Sequence, residues 1–440
     1  MLLAREWLSE CISSHKSMAC KPYEDVACLP TRIIYVGKED SNLRVHASRP
    51  GERARYAALS HCWGGSNPLM TTTENVSSHT TNLPYGHLPR TFREAIAVTR
   101  TLGLDYLWID SLCIIQNSIE DWTNEAAHMA EVYENAFVTI SADAAMDCQT
   151  GFLNKPARLL GPSASVPYEL NNVLGRSYKG IMHIWGKCPL MRQIPVHGWH
   201  PGTIILKPPL PKGTSSSDQI PPCLQAQDDA AASKLSTRGW VLQERLLSPR
   251  TLHFGPSELG WECRTCIKCG CTATSARSRR GESLLKSALV QKDWAKLVKE
   301  YTRMHLTFSR DRLPVISGLA SAMSSLRPNN RYLSGLRESK LADDLMWHVD
   351  PRLSSPRARF HKYYAPTWSW AYLIAPVEYR FFRWTRVSEQ FKILEINYDT
   401  GTLNPFGPPL EGVFLRVRGL VVAARITRLG TGVDVVIPGR

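Results

Sequence analysis

In the first 150 residues, continuous apolar runs alternate with segments whose apolar positions recur at helical spacing. The runs predict buried strands and the spaced segments predict helices between them. Residues 55–65, RYAALSHCWGG, form an apolar run that breaks at Gly-Gly, as a buried strand does where it opens into a loop. From Pro89 to Gly103, apolar residues recur at helical spacing, which predicts an amphipathic helix with a proline in its first turn. Residues 104–115 predict a second buried strand, and Asp110 stands where its apolar run breaks.

A second helix and a third strand complete this pattern. Ser118 and Asp121 have the spacing of a capping box, and the apolar positions after them step by three or four. These positions are Trp122, Ala126, Met129, Tyr133 and Phe137. Residues 136–142 predict the third strand. The order strand, helix, strand, helix, strand indicates an α/β fold, with a parallel sheet flanked by helices.

The flanking segments divide the chain into three predicted parts. Residues 1–50 form an N-terminal segment with a β-hairpin, in which strands at 29–37 and 43–48 are joined by the turn KEDSN. Residues 51–271 form the main domain, with a long insertion at 154–235 that is rich in Pro, Gly and Ser and is typical of loop or disorder. Residues 272–440 form a mainly helical accessory region with a β-prone end.

Within these parts, the same patterns predict further helices and strands. A short helix at 240–247 begins after Gly239 and ends before Pro249, and it is followed by two strands. These strands lie at 250–255 and 259–263. Residues 283–306 and 312–326 predict helices, and residues 413–429 are β-prone.

Composition and charge narrow the class of protein. The 440 residues are 43% hydrophobic, and 53 Lys and Arg against 39 Asp and Glu give a net charge of +14. This balance favours acidic partners, but the basic residues form no long run, so nucleic-acid binding is disfavoured against a solvated surface. The sequence shows neither a signal peptide nor an apolar membrane span. We therefore expect a cytoplasmic protein whose 12 cysteines are reduced thiols.

Polar side chains fall at the carboxyl ends of the predicted strands, where sheets of this kind bind ligands. They are Ser60, His61, Trp63, Asp110 and Gln116. Ser60 and His61 point to opposite faces if the strand continues through them, so they form no catalytic dyad in that case. Pocket lining and buried packing are both open for these residues. Asp110 can bind a ribose hydroxyl or can cap the turn that follows it.

A run of cysteines in CRTCIKCGC raises the question of a metal. Its members are Cys263, Cys266, Cys269 and Cys271. C-x-x-C pairs are a strong zinc signal when two pairs lie on separate knuckles, whereas a tetrahedral site from nine consecutive residues is strained. Reduced loop thiols are the favoured interpretation, and no metal or cofactor is expected. No P-loop, HExxH or GxSxG motif is present.

Four stretches together resemble the HET domain of the fungal heterokaryon incompatibility family, over roughly residues 30–373. They are YAALSHCWGG, the segment 88–142, STRGWVLQERLLSPRTLHFGPSELGWEC, and FSRDRLPVISGLA with APTWSWA. The resemblance implies a role in non-self recognition that triggers programmed cell death. It also implies partners, either a second copy of the chain or another incompatibility protein.

HET domains are in turn similar to the TIR fold, a flavodoxin-like α/β sandwich in which some members cleave NAD. In those enzymes the catalytic glutamate lies in a W-x-x-x-E helix, and Trp240 and Glu244 have this spacing. The resemblance therefore implies that Glu244 is the catalytic carboxylate, that Gln243 is a hydrogen-bonding neighbour, and that NAD or a related nucleotide is the substrate. Two alternatives stay open: Glu244 pairs with an arginine, or the chain is a non-enzymatic signalling module. Glu125 is a rival carboxylate, which an exposed position on its helix would equally explain.

Overall fold

The structure is a computed structural model, and most of residues 1–153 are described. The described ranges are 1–15, 20, 26–65, 69–153, 164–171, 177–184, 233–256, 259–269, 293–325, 330–350, 358–359, 362–379, 391–401, 404–419, 425–429 and 432–436. They divide into two compact units. The first contains residues 1–297 and 304–306, and the second contains residues 298–303 and 307–440.

The first unit alternates strands and helices along most of its length. Its strands are β1 (Ala27–Cys28), β2 (Arg32–Tyr35), β3 (Arg44–Ala47), β4 (Arg53–Ala54), β5 (Tyr56–Ser60), β6 (Tyr106–Trp108), β7 (Val138–Ser141), β8 (Ala164–Asn171), β9 (Ser177–Ile184), β10 (Arg250–Phe254), β11 (Leu259–Cys263) and β12 (Ile267–Cys269). Its helices are α1 (Leu2–Ser14), α2 (Val76–Thr81), α3 (Arg90–Thr101), α4 (Asp110–Cys113), α5 (Ile119–Asn135) and α6 (Gly239–Leu247). A further helix, α7 (Trp294–Tyr301), begins in the first unit and ends in the second.

An eight-stranded sheet forms the centre of the first unit, in the order β12-β11-β10-β7-β5-β6-β2-β3. The four middle strands, β10, β7, β5 and β6, are parallel to one another. The outer strands on both sides pair antiparallel. The prediction of an α/β fold is confirmed, but the sheet is mixed rather than parallel throughout. Hairpins at both ends supply the antiparallel strands, because a short turn can only join strands that run in opposite directions.

Register brings the carboxyl ends of the middle strands to one edge. Ser60 on β5 pairs with Ser141 on β7, and Ser141 pairs with His253 on β10. Paired residues in neighbouring strands point to the same face of a sheet, so these three side chains share one face. Right-handed crossovers place α3 on one face of the sheet, and α5 and α6 on the other. Helices α5 and α6 contact each other there.

Two predicted elements differ in the structure. The strand predicted over residues 104–115 is only β6, because the chain turns into helix α4 at Asp110. The polar N-terminal segment begins with helix α1, which buries Ala4, Trp7, Leu8 and Cys11. This is the spacing of one helical face, so the periodicity was present but short. The insertion contains the hairpin of β8 and β9, and its segment 208–222 lies outside the described residues.

The second unit consists of short helices and two-stranded sheets. Its helices are α8 (Arg312–Ser325) and α9 (Leu341–Asp344). Its strands are β13 (Tyr332–Leu333), β14 (Leu336–Arg337), β15 (Trp347–Val349), β16 (Ala358–Arg359), β17 (Leu373–Ile374), β18 (Val377–Tyr379), β19 (Lys392–Asn397), β20 (Phe414–Arg418), β21 (Arg425–Leu429) and β22 (Gly432–Val436). Helix α8 and the β-prone end are as predicted, but the described residues between them form short helices and two-stranded sheets, so the described part of this region is not mainly helical.

Candidate functional site

Glu244 lies on α6 at the carboxyl edge of the sheet, and its side chain is buried with 7% exposed. Its carboxyl faces the hydroxyls of Ser60 on β5 and Tyr133 on α5. Neither Ser60 Oγ nor Glu244 Oε2 makes a hydrogen bond of normal geometry with any described residue. Glu244 also forms no ion pair among the described residues, so the alternative in which it pairs with an arginine is not what this conformation shows.

Burial raises the pKa of the Glu244 carboxyl from 4.5 to about 7, and the negative charge of Asp110 adds to the rise. The Ser60 hydroxyl, the guanidinium of Arg238 and the Tyr133 hydroxyl oppose it. Near neutral pH the protonated and ionised forms of Glu244 are therefore populated to a similar extent. A carboxyl with such a pKa can act either as an acid or as a base, which is common at catalytic sites.

The loop after β5 arranges the other predicted residues. Trp63 Nε1 donates a hydrogen bond of 2.8 Å to Asp110 Oδ2, and the backbone N–H of Ser111 donates one of 2.7 Å to Asp110 Oδ1. Asp110 is thus the first residue of α4 and accepts the N–H of the next residue, while its side chain is 23% exposed at the edge. Gly64 has a φ of 80°, and a Cβ there would collide with Asp147, so this turn requires glycine.

His61 lies on the opposite side of β5 from Glu244. Its ring packs edge-on against Phe92 of α3, with 5.1 Å between the ring centroids. Its Nδ1 is 3.9 Å from Asp110 Oδ1, and its Nε2 has no hydrogen-bond partner among the described residues. Burial lowers the pKa of His61, so the ring is neutral at pH 7. The strand ends at Ser60, so the condition under which adjacent strand positions exclude a dyad is not met, but Ser60 and His61 still face different neighbours and form no dyad.

Arg238 interacts with two residues that lie on opposite sides of β5, His61 and Glu244. It precedes α6, and its Nη1 donates a hydrogen bond of 2.7 Å to the backbone oxygen of His61. The guanidinium is also close enough to Glu244 to lower the pKa of that carboxyl. We refer to Ser60, Asp110, Tyr133, Arg238 and Glu244 as the Glu244 group. Tyr133 is the member that sequence reasoning missed, because its helical spacing indicated only an apolar face.

For three predicted site residues, the structure gives less support for a role in ligand binding. Gln116 Nε2 donates to the backbone oxygens of Asp110 and Ile114, which stabilises the turn after α4 and leaves that amide occupied. Gln243 is buried with 1% exposed, and Trp240 is half-buried on the first turn of α6. The roles of Gln243 and Trp240 at this site remain predictions.

The rival carboxylate Glu125 has a different environment. It is buried with 3% exposed, so the expectation of an exposed helix position is wrong. Its Oε1 is 3.6 Å from Arg32 Nη2, and the same nitrogen is 2.6 Å from Asp121 Oδ2. Glu125 therefore belongs to a buried ion pair that connects β2 to α5. This arrangement favours a structural role for Glu125 and leaves Glu244 as the candidate.

A second polar group on the same sheet was not predicted. His253 Nδ1 lies 2.9 Å from Asp143 Oδ2, and His253 Nε2 lies 3.1 Å from Glu262 Oε2. Arg245 Nε donates to the same Glu262 oxygen at 2.7 Å. We refer to Asp143, Arg245, His253 and Glu262 as the His253 network. Its members come from four separate segments, so no sequence motif marks it.

The predicted cysteine run is assembled only in part. Cys263 and Cys266 lie with their sulfurs 3.6 Å apart. The side chain of Cys269 and the whole of Cys271 lie outside the described residues. Cys263 instead lies beside Cys11, His15 and Cys20 from the N-terminal segment.

Comparison with known proteins identifies one family. Residues 56–244 match the family model described as "Heterokaryon incompatibility protein (HET)". The match begins at the first residue of β5 and ends at Glu244 itself. The comparisons with curated proteins and with solved structures gave no match. No helix among the described residues combines the length and apolar character needed to cross a membrane.

Proposed function

We propose that this chain is an effector of heterokaryon incompatibility that cleaves a nucleotide; the proposal starts from the match of residues 56–244 to the heterokaryon incompatibility (HET) family model, which implies a role in heterokaryon incompatibility. In this proposal, fungal non-self recognition activates the domain, and hydrolysis of NAD or a related nucleotide triggers programmed cell death. The observation that carries the proposal is a buried carboxyl without an ion partner among the described residues, Glu244, at the ligand-binding edge of the sheet.

The strand order supports a relation to TIR domains. In chain order the four parallel strands are β5, β6, β7 and β10, and across the sheet they run β6-β5-β7-β10. This is the first part of the flavodoxin-like order 2-1-3-4-5. Its switch point lies between β5 and β7, beside Ser60 and Ser141. Antiparallel β11 stands where a fifth parallel strand would follow.

The chemistry of an N-glycosidic bond suits one carboxylate. When the bond between ribose C1′ and the nicotinamide nitrogen breaks, its electron pair leaves with nicotinamide and neutralises the pyridinium. The ribose ring is left as an oxocarbenium ion, which ionised Glu244 would stabilise. Water then adds to C1′ and releases one proton, which the carboxylate can accept before it passes to solvent. Arg238, with a guanidinium that carries donors beyond its bond to His61, would attract the phosphates.

The test is release of nicotinamide from NAD by the purified full chain. We expect release by the wild type and by the control Glu120→Gln, which makes the same substitution on an exposed part of α5. Glu244→Gln keeps the shape of the side chain but removes its charge, and we expect roughly 100-fold to 1,000-fold slower release. Release that is unchanged in Glu244→Gln would remove this carboxyl from the mechanism.

One observation favours the second candidate, a signalling module without catalytic activity. The Glu244 side chain is only 7% exposed, so in this conformation it offers little surface to a substrate. A module would instead act by binding a partner or a second copy of the chain. Absence of nicotinamide release by the wild type, together with concentration-dependent self-association in light scattering, would support this second function over hydrolysis.

A further inference from the structure

Three cysteines and a histidine from distant parts of the first unit meet beside the end of β11. Cys11 lies on α1, His15 follows that helix directly, and Cys20 comes five residues later. Cys263 is the last residue of β11. We refer to these four residues as the cysteine cluster. One ligand atom from each lies within 4.8 Å of all the others.

Two separations around Cys263 match the edges of a metal tetrahedron, and all donor pairs of the cysteine cluster lie within 4.8 Å. With zinc–sulfur bonds of about 2.3 Å, two sulfurs on a tetrahedral ion are about 3.8 Å apart, and a nitrogen–sulfur edge is slightly shorter. His15 Nδ1 lies 3.5 Å from Cys263 Sγ. Cys266 Sγ, a further thiol on the same turn, lies 3.6 Å from Cys263 Sγ. These separations bring the donor atoms as close as shared coordination requires.

The turn after β11 also has the features of a metal-binding knuckle. The backbone N–H groups of Thr265 and Cys266 point at Cys263 Sγ, at 3.4 and 3.3 Å. N–H groups directed at a sulfur stabilise the thiolate, which is the form that binds a metal, and they orient it as outer-shell partners do. Thr265 Oγ1 lies 3.3 Å from Cys20 Sγ, so the same turn also orients a second sulfur.

Burial argues against a set of unrelated thiols. Cys11, Cys20 and Cys263 are each 3% exposed or less. Other buried cysteines, such as Cys113, fill the core singly, as small hydrophobic residues do. Convergence of three such thiols with an imidazole is instead the donor set of a structural zinc site.

We propose that Cys11, His15, Cys20 and Cys263 bind one zinc ion, which fastens α1 and the segment after it to the end of β11. Four protein ligands complete a tetrahedron and leave no open position, so the zinc is structural. Cys266 lies next to the site, on the turn that follows Cys263, and is not one of the four ligands. The proposal is independent of the function of Glu244.

The first test measures metal in the full chain, purified without chelators or metal-affinity resin. We expect roughly one zinc ion per chain in the wild type and in Cys113→Ala, a matched control that removes a buried thiol elsewhere in the core. We expect most of the zinc to be lost in Cys263→Ser. Iron in place of zinc, a Cys263–Cys266 disulfide in the fresh protein, or full zinc content in Cys263→Ser would each overturn the proposal.

The second test uses the wild type alone, which covers the case in which Cys263→Ser fails to fold. Replacement of the metal by Co²⁺ should produce the visible and near-ultraviolet bands of tetrahedral cobalt with thiolate ligands. Removal of the metal should increase hydrogen exchange in α1 more than in α3, because only α1 carries ligands. A wild type that binds neither zinc nor Co²⁺, or an α1 whose exchange is unchanged on metal removal, would contradict the site or its fastening role.

Discussion

Glu244 and Glu262 are two buried carboxylates on neighbouring elements of the first unit, and their partners differ. Glu262 is buried with 1% exposed. Its Oε2 accepts a hydrogen bond of 2.7 Å from Arg245 Nε and lies 3.1 Å from His253 Nε2. Glu244, with 7% exposed, faces the hydroxyls of Ser60 and Tyr133 and has no ion pair among the described residues. Arg245 follows Glu244 directly in the chain, yet its side chain pairs with Glu262 on β11.

The difference shows how the fold distributes its charges. A buried carboxylate with cationic partners stays ionised and holds elements together, whereas one without them shifts its pKa toward neutrality. Burial lowers the pKa of His253, but hydrogen bonds to Asp143 and Glu262 raise it by more, so the net shift is upward. The His253 network therefore fits a role in stability. The Glu244 carboxyl, with a pKa near neutrality, fits a role in proton transfer.

The largest expected effect comes from breaking the His253 network. Glu262→Ala removes the acceptor that half-buried Arg245 and buried His253 share, so we expect the free energy of unfolding to fall by about 3–5 kcal/mol. Urea unfolding at pH 7 measures this change. Glu244→Gln is the comparison variant and should not destabilise the chain. Equal losses in the two variants would show that the two carboxylates do not differ in role.

The next effect is a pH dependence that belongs to Glu244. The folded chain holds the Glu244 proton up to about pH 7, whereas an unfolded glutamate releases it near 4.5. The folded state therefore binds more protons between these values, so stability falls as pH rises from 4.5 through 7, by about 3 kcal/mol. Unfolding of wild type and Glu244→Gln at pH 4.5 and pH 8 measures it. A stability difference between the two proteins that is constant with pH would contradict a raised pKa.

A smaller effect is expected from Trp63→Phe. The variant keeps the aromatic ring but loses the hydrogen bond to Asp110 Oδ2, which is worth about 1 kcal/mol. Asp110, no longer held by Trp63, should also change the titration of Glu244, because its charge raises the pKa of that carboxyl. Chemical unfolding and NMR titration of Glu244 measure the two results. An unchanged titration would show that the position of Asp110 does not affect Glu244.

The smallest effect on stability is expected from Ser60→Ala. Ser60 Oγ makes no hydrogen bond of normal geometry with a described residue, so its removal should change the free energy of unfolding by only about 0.5 kcal/mol. The pKa of Glu244 should nevertheless rise further, because the Ser60 hydroxyl opposes the effect of burial. NMR titration of the Glu244 carboxyl detects this shift. A fall in that pKa would contradict the contact.

Local pattern predicted much of the first unit. The capping box before α5 was correct, since the Ser118 side chain accepts a hydrogen bond from the Asp121 N–H. Strand β5, helix α3 and helix α6 fall where periodicity and the flanking Gly and Pro residues predicted them. The direction of β11 relative to β10 was beyond such patterns, because a five-residue apolar run has the same composition in a parallel or an antiparallel pair.

The sequence by itself determined the match to the HET family model, the strand and helix order over residues 55–142 and the identity of the one carboxylate in the W-x-x-x-E helix. These properties depend on residues near one another in the chain, where spacing alone carries the signal. Only the tertiary structure decided that Arg245 pairs with Glu262, while Glu244 has no ion pair among the described residues. It also decided that Cys263 meets Cys11, His15 and Cys20, which are distant in the sequence. Packing brings these groups together in a low dielectric, and that proximity shifts a pKa or builds a ligand set.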